Sequence, residues 1–287
     1  MPPLRHHSVL AGLFALLVMA MGAPADTLPV GAKYVALGSS YASGPGLPPY
    51  VADAPARCGR STRNYAHLLA ARRSLTLVDA TCSGATTAAV LVGWNELPAQ
   101  VEAVDADTRL VTVTIGGNNL RYIGNLMSQS CLNLAARTGG PTDKCVKGVE
   151  LKDGDLEAAY QAMRAVADAV RRRAPSALLI FVDYSVVLPP TGICAATPLT
   201  PKQADQGRKV ADQLALVTAR VASDSGALLV KASSLSAGHD ACAADPWMTG
   251  YPGPPGTLAY HLTADGMAAV ARGLDGALDI VAGPAPH

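Results

Sequence analysis

Five apolar, β-branched runs punctuate the chain, each bounded by breakers: "KYVALG" at 33–38, "LTLVDA" at 75–80, "RLVTVTIG" at 109–116, "ALLIFVDY" at 177–184 and "ALLVKA" at 227–232. Their apolarity is continuous rather than alternating, as parallel strands covered on both faces require. Between them the period lengthens to that of a helix. In "DLEAAYQAMRAVADAVRRRAP", Leu156, Tyr160, Met163, Val166, Ala167 and Val170 share one face. Asp155 is placed to cap this helix and Pro175 to stop it. A second helix is predicted from Gln203 to Gly226, and a third within "LTADGMAAVARGLDGALDIVAG", with Thr263 as its N-cap. Strands alternating with helices predict an α/β fold, a three-layer α/β/α sandwich around a central parallel sheet of about five strands. Three stretches, 120–150, 185–203 and 233–260, read as long loops.

The N-terminus stands outside this pattern. Arg5 precedes an apolar run from Val9 to Met21, and Ala23-Pro24-Ala25 has the small-x-small form of a signal-peptidase site. Residues 1–25 are therefore expected to be an export signal and 26–287 a single secreted domain; an uncleaved anchor is the competing reading. No later stretch is apolar enough to span a bilayer, so no stable membrane insertion is expected.

Charge narrows the partners. The chain carries 23 basic and 22 acidic residues, a balance that argues against nucleic acid, whose phosphates demand a basic excess. The "RRR" at 171–173 closes a helix, where cations suit the macrodipole. Six cysteines, an even number in an exported chain, read as three disulfides. None has a zinc-ligand spacing. Fifteen pairings are formally possible; the expected set is Cys58–Cys82, Cys131–Cys145 and Cys194–Cys242. The middle pair closes a short local loop and the others pin long loops to the body.

In a parallel sheet the ligand sits beyond the carboxyl ends of the strands, and three of those ends carry small polar residues. The first run leads into Gly38-Ser39-Ser40, the second into "ATCSGATT" with Gly84, and the third into "TIGGNNL" with Asn118 and Asn119. Near the C-terminus, "YHLTADG" sets His261 just before the last helix. This set is complete for acyl transfer. Ser40 would be the nucleophile and His261 the general base. The backbone N–H groups of Ser40 and Gly84 and the Asn118 amide would receive the oxyanion. Among the other histidines, His67 lies in a helical pattern and His239 in a loop that matches no catalytic block. Asp265 suits a helix's first turn, and Trp247 is either a loop anchor or a wall of an acyl pocket.

With "GSSYASGPG", "CSGATT", "GGNN" and "YHLTADG" in this order over about 33–280, the chain resembles the SGNH (GDSL-type) hydrolases, especially secreted actinobacterial esterases and lipases with three disulfides. The resemblance implies a flavodoxin-like fold and a secreted serine esterase or lipase, a monomer acting on a small ester or lipid without metal or organic cofactor. Ser39 and Asn119 replace aspartates common in the family. The family's triad acid commonly lies three residues before the histidine, where this chain has Leu258. The readings open are a Leu258 backbone carbonyl holding the imidazole, an acid from Asp245 or Asp240, and a dead site. The alternatives to an esterase of acyl or lipid substrates are therefore an inactive extracellular binding protein on the same fold and a carbohydrate-deacetylating esterase. A content of 5% aromatic residues leaves little for a sugar-stacking platform.

Overall fold

The computed structural model describes residues 28–282; the export segment read at 1–25 lies outside them. All five predicted strands form: β1 Lys33–Gly38, β2 Thr76–Asp79, β3 Thr108–Thr114, β4 Leu178–Val182 and β5 Leu228–Val230. They join in one sheet, every pair parallel, in the order β2-β1-β3-β4-β5. This is the doubly wound order, whose direction reverses at β1 and β3. Alternation along β1 divides the core. Tyr34 and Ala36 pack into one cluster, Val35 and Leu37 into the other.

Among the described residues eight α-helices surround the sheet: α1 Ser40–Ser43, α2 Tyr65–Arg73, α3 Thr87–Val92, α4 Tyr122–Thr138, α5 Asp155–Arg173, α6 Pro201–Asp224, α7 Ala232–Leu235 and α8 Ala264–Ala282. Leu69 of α2 and Met267, Val270 and Leu274 of α8 cover the face of Tyr34. Val90 of α3 and Met163, Val166 and Val170 of α5 cover the face of Val35. Among the described residues no helix is long and apolar enough to cross a membrane.

Three local readings need correction. The stretch 120–150 is not all loop, because α4 fills more than half of it. Its buried side includes Ser128 and Ser130, which blunts the apolar period; the Ser130 hydroxyl is satisfied by Tyr260 at 2.6 Å. The second long helix starts at Pro201 rather than Gln203. Thr200 Oγ1 accepts from the Gln203 N–H and Gln203 Oε1 from the Thr200 N–H, a capping box with proline in the first turn. Asp155 is the first helical residue of α5 and Gly154 its cap; the Asp155 carboxylate accepts from the Lys152 N–H at 2.8 Å. Thr263 does cap α8, accepting from the Gly266 N–H at 3.3 Å.

The three disulfides are Cys58–Cys82, Cys131–Cys145 and Cys194–Cys242. The first ties the segment after α1 to the loop after β2, and the last ties the loop after β4 to the loop before α8. Removing Cys58–Cys82 by paired alanine substitution should lower stability by about 2–4 kcal/mol, the usual range for a native bridge. Thermal melting measures this, and a Tm equal to that of the parent would show that the bridge carries no stability.

Candidate active site

The site begins where β1 stops. Gly38 has φ +145°, and a Cβ there would lie 2.4 Å from the Thr114 carbonyl oxygen. Only glycine lets β1 run this close to β3 while the chain turns out of the sheet. The Gln100 side chain holds the turn from the other side. Its Oε1 accepts from the Gly38 N–H at 2.7 Å and its Nε2 donates to the Gly38 carbonyl at 3.0 Å. This amide pairs with a peptide group as a neighbouring strand would, beyond the point where β2 has ended. Ser39 N–H then donates to the Thr114 carbonyl at 3.0 Å, and Ser40 opens the single turn α1, which closes on left-handed Gly44.

Ser40 Oγ lies 2.8 Å from His261 Nε2, across 221 residues of chain. His261 Nδ1 lies 2.7 Å from the Ala259 carbonyl oxygen. A carbonyl only accepts, so Nδ1 carries the proton and Nε2 presents its lone pair to the Ser40 hydroxyl. The imidazole is 5% exposed. Burial lowers its pKa to about 4, against an opposing pull from the Ala259 carbonyl. Thr249 fixes the histidine backbone, its Oγ1 accepting from the His261 N–H at 2.9 Å and its own N–H donating to the His261 carbonyl at 2.9 Å. The Tyr41 hydroxyl donates to the Tyr260 carbonyl at 2.8 Å.

The imidazole is thus held by a backbone carbonyl, but not that of Leu258. The Leu258 carbonyl is taken by the Thr249 hydroxyl at 2.6 Å. Tyr260 adopts φ +56°, and this left-handed residue folds the chain back so that Ala259, two positions before the histidine, faces the ring. Neither aspartate candidate takes that place. The Asp245 carboxylate lies 3.5 Å from His239 Nδ1, and Asp240 Oδ1 accepts from the Cys242 N–H at 2.8 Å. Trp247 is a loop anchor, its ring stacked on that of His239 with centroids 3.7 Å apart and its backbone N–H donating to the His239 carbonyl.

The loops after β1, β2 and β3 carry Ser40, Gly84 and Asn118, and these strands are neighbours in the sheet. Among the described residues, neither the Ser40 nor the Gly84 N–H has an acceptor. Gly84 has φ +83° and is exposed. Asn118 Nδ2 donates to the Ala85 carbonyl at 2.9 Å, which ties its loop beside Gly84 and leaves one of its two amide hydrogens over. Asn119 is a brace, exchanging hydrogen bonds with the backbone and hydroxyl of Thr87. Ser39 shares a 3.2 Å hydrogen bond with the Tyr184 hydroxyl, which also accepts from the Gly117 N–H at 3.0 Å.

The model of the GDSL-like lipase/acylhydrolase family matches residues 36–269. The chain belongs to that family. It is 34% identical over 232 residues to Lipase 2 of Streptomyces coelicolor, covering 78% of this chain and 77% of that protein. Among solved structures it is similar to a phospholipase A1 of Streptomyces albidoflavus (30% identity, TM-score 0.67, 86% of this chain and 99% of that one). It is similar also to an extracellular lipase of Streptomyces rimosus (29% identity, TM-score 0.67, 86% of this chain and all of that one). The chain is therefore an ester hydrolase on a GDSL-type frame.

Several residues of this GDSL-like hydrolase escape a reading of the sequence alone. Gln100 sits 62 positions from Gly38 in "ELPAQVEAV", which carries no catalytic signal. Tyr184 and Thr249 are equally unmarked. Because Asp245 and Asp240 face other partners, Asp245→Asn and Asp240→Asn should each leave kcat for a short ester within about threefold of the parent. A loss of roughly a hundredfold in either, about 2.7 kcal/mol, would make that carboxylate the third member of the site.

Proposed function

We propose that the protein is a secreted serine esterase that cleaves carboxylic esters of acyl or lipid substrates through an acyl-Ser40 intermediate. The observation that carries this reading is the relay Ser40 Oγ–His261 Nε2 at 2.8 Å and His261 Nδ1–Ala259 O at 2.7 Å. Ser40 Oγ attacks the ester carbonyl carbon while its proton passes to Nε2. The resulting oxyanion is received by the Ser40 and Gly84 N–H groups and the spare Asn118 amide hydrogen. Collapse breaks the C–O bond, and the leaving alkoxide takes the proton from Nε2. Water then repeats the attack on acyl-Ser40, giving its proton to Nε2, and collapse releases the carboxylic acid and the Ser40 hydroxyl. The Ala259 carbonyl keeps the tautomer and steadies the imidazolium in both halves.

The relatives named as lipases and as a phospholipase A1 favour acyl and lipid esters over sugar acetates. The N-terminal segment 1–25, the three disulfides and the relative described as extracellular support export. The test is a fluorophosphonate probe followed by peptide mass spectrometry, run beside an ester series of increasing acyl length. An adduct at Ser40 is expected; labelling elsewhere or none, with no turnover of any ester, would overturn the reading in favour of a binding protein.

The pH profile is a second test. A general base must be neutral, and burial delays protonation of His261 until the pH falls toward about 4. The acid limb of kcat/KM should therefore lie well below about 6.5, where an ordinary histidine would place it. A limb centred near 6.5 would show that water reaches the imidazole and that its burial is not maintained in solution.

A further inference from the structure

Beside the loop that carries Gly84, and outside the Ser40–His261 relay, lies a cavity of about 380 Å³, within the roughly 300–1,000 Å³ of ordinary ligand pockets. Its walls are mostly apolar and include Ala80, Ala89, Trp94 and Leu97. Arg60 also lines it and is half-buried. Its Nε donates to the Thr81 carbonyl at 2.6 Å, while its two terminal nitrogens have no partner among the described residues. The acid on the lining, Glu102, is exposed and makes no ion pair with Arg60 among those residues. The nearby Arg57 differs, for its charge is committed to the Trp94 ring at 3.8 Å and to Glu96 at 3.1 Å.

A guanidinium with donors to spare at an apolar cavity matches one ligand chemistry, an anionic head on a single hydrocarbon chain. Planar, forked donors favour a carboxylate. Burial already holds the Arg60 guanidinium below the ordinary arginine value, with Asp79 offsetting part of that, and an anion bound at its free nitrogens would act in the same direction as Asp79. We infer that this cavity binds a long-chain carboxylate, a free fatty acid, with its head on Arg60 and its chain against Trp94 and Leu97. Two other groups of the wall, Gln100 and Cys82, are the ones that hold Gly38, through the Gln100 amide and the Cys82 N–H to the Gly38 carbonyl. The bound acid therefore lies against the back of the nucleophile turn rather than in front of it.

The inference does not depend on the esterase reading and is tested without turnover. In the full chain carrying Ser40→Ala and Trp247→Phe, Trp94 is the remaining tryptophan and its emission reports the cavity. Titration with dodecanoate should give a saturable change, and dodecanol should bind at least about tenfold more weakly because it leaves the guanidinium unpaired. Adding Arg60→Gln should weaken dodecanoate by a similar factor. Should Arg60→Gln lower Tm, Leu97→Trp, read by calorimetry, keeps the question open to refutation, because it fills the cavity while leaving Arg60 and ester hydrolysis intact. Equal binding of dodecanol, full affinity in Arg60→Gln or Leu97→Trp, or loss of dodecanoate binding once Ser40 of the parent is phosphonylated would each overturn the inference, the last by placing the acid in the catalytic cleft.

Discussion

Ser40→Ala should reduce ester turnover by about 10⁴-fold or more while leaving the fold intact. The size follows from what the substitution removes, for without the hydroxyl no covalent intermediate forms, and only binding and the oxyanion donors still act on an attacking water. The fold should survive because Ser40 is small and its side chain makes one hydrogen bond, to His261, a loss on the order of 1 kcal/mol. Turnover of a chromogenic short-chain ester and thermal melting check both halves together. An alanine variant that still hydrolyses the ester at a tenth of the parent rate would take the chemistry away from Ser40.

Gly38→Ala is the second large effect, and it should strike stability and turnover at once. The residue's φ of +145° lies where a side chain is strained by about 1–3 kcal/mol. The added methyl would also stand 2.4 Å from the Thr114 carbonyl oxygen, and backbone atoms of a central strand cannot step aside cheaply. Relief requires β1 and β3 to part at their ends, which breaks the Ser39 N–H bond to Thr114 and moves Ser40 away from His261. A fall of at least about 3 kcal/mol in stability, with a hundredfold or greater loss of kcat in whatever folds, is the expected result. Equilibrium denaturation and single-turnover kinetics measure the two parts. If stability and kcat both stay at the parent's level, the close approach of the two strands is not maintained in solution.

The contrast between these positions and others shows what a linear reading reaches. The strands were legible because β1, β3 and β4 are almost wholly buried and so carry apolar or β-branched residues at nearly every position past their first residues. The relay was legible because a hydroxyl after the first strand and an imidazole before the last helix are rare side chains at telling places. α4 was not legible, since Ser128 and Ser130 occupy part of its buried face, and Ser130 meets its partner Tyr260 only in the folded state. Gln100 was not legible either. Its amide has meaning only once the sheet has assembled and β2 has stopped short, a fact about space rather than spacing. The offset from Leu258 to Ala259 turns on one non-glycine residue, Tyr260, held left-handed with its ring buried and its hydroxyl on Ser130, and no local propensity announces that.

The partner of His261 Nδ1 belongs to the main chain, and this changes what genetics can find. Every amino acid brings the same oxygen to position 259, so an alanine scan would pass over the third member of the relay without a signal. Side-chain chemistry at position 259 is therefore not under catalytic constraint, and only packing limits it, since Ala259 is buried. The vulnerable positions are instead the ones that shape the path: Tyr260, through its left-handed turn, and Thr249, which grips both ends of the His261 peptide segment. A search for inactivating substitutions should therefore recover the supports of this oxygen, and its owner only where added bulk moves the backbone.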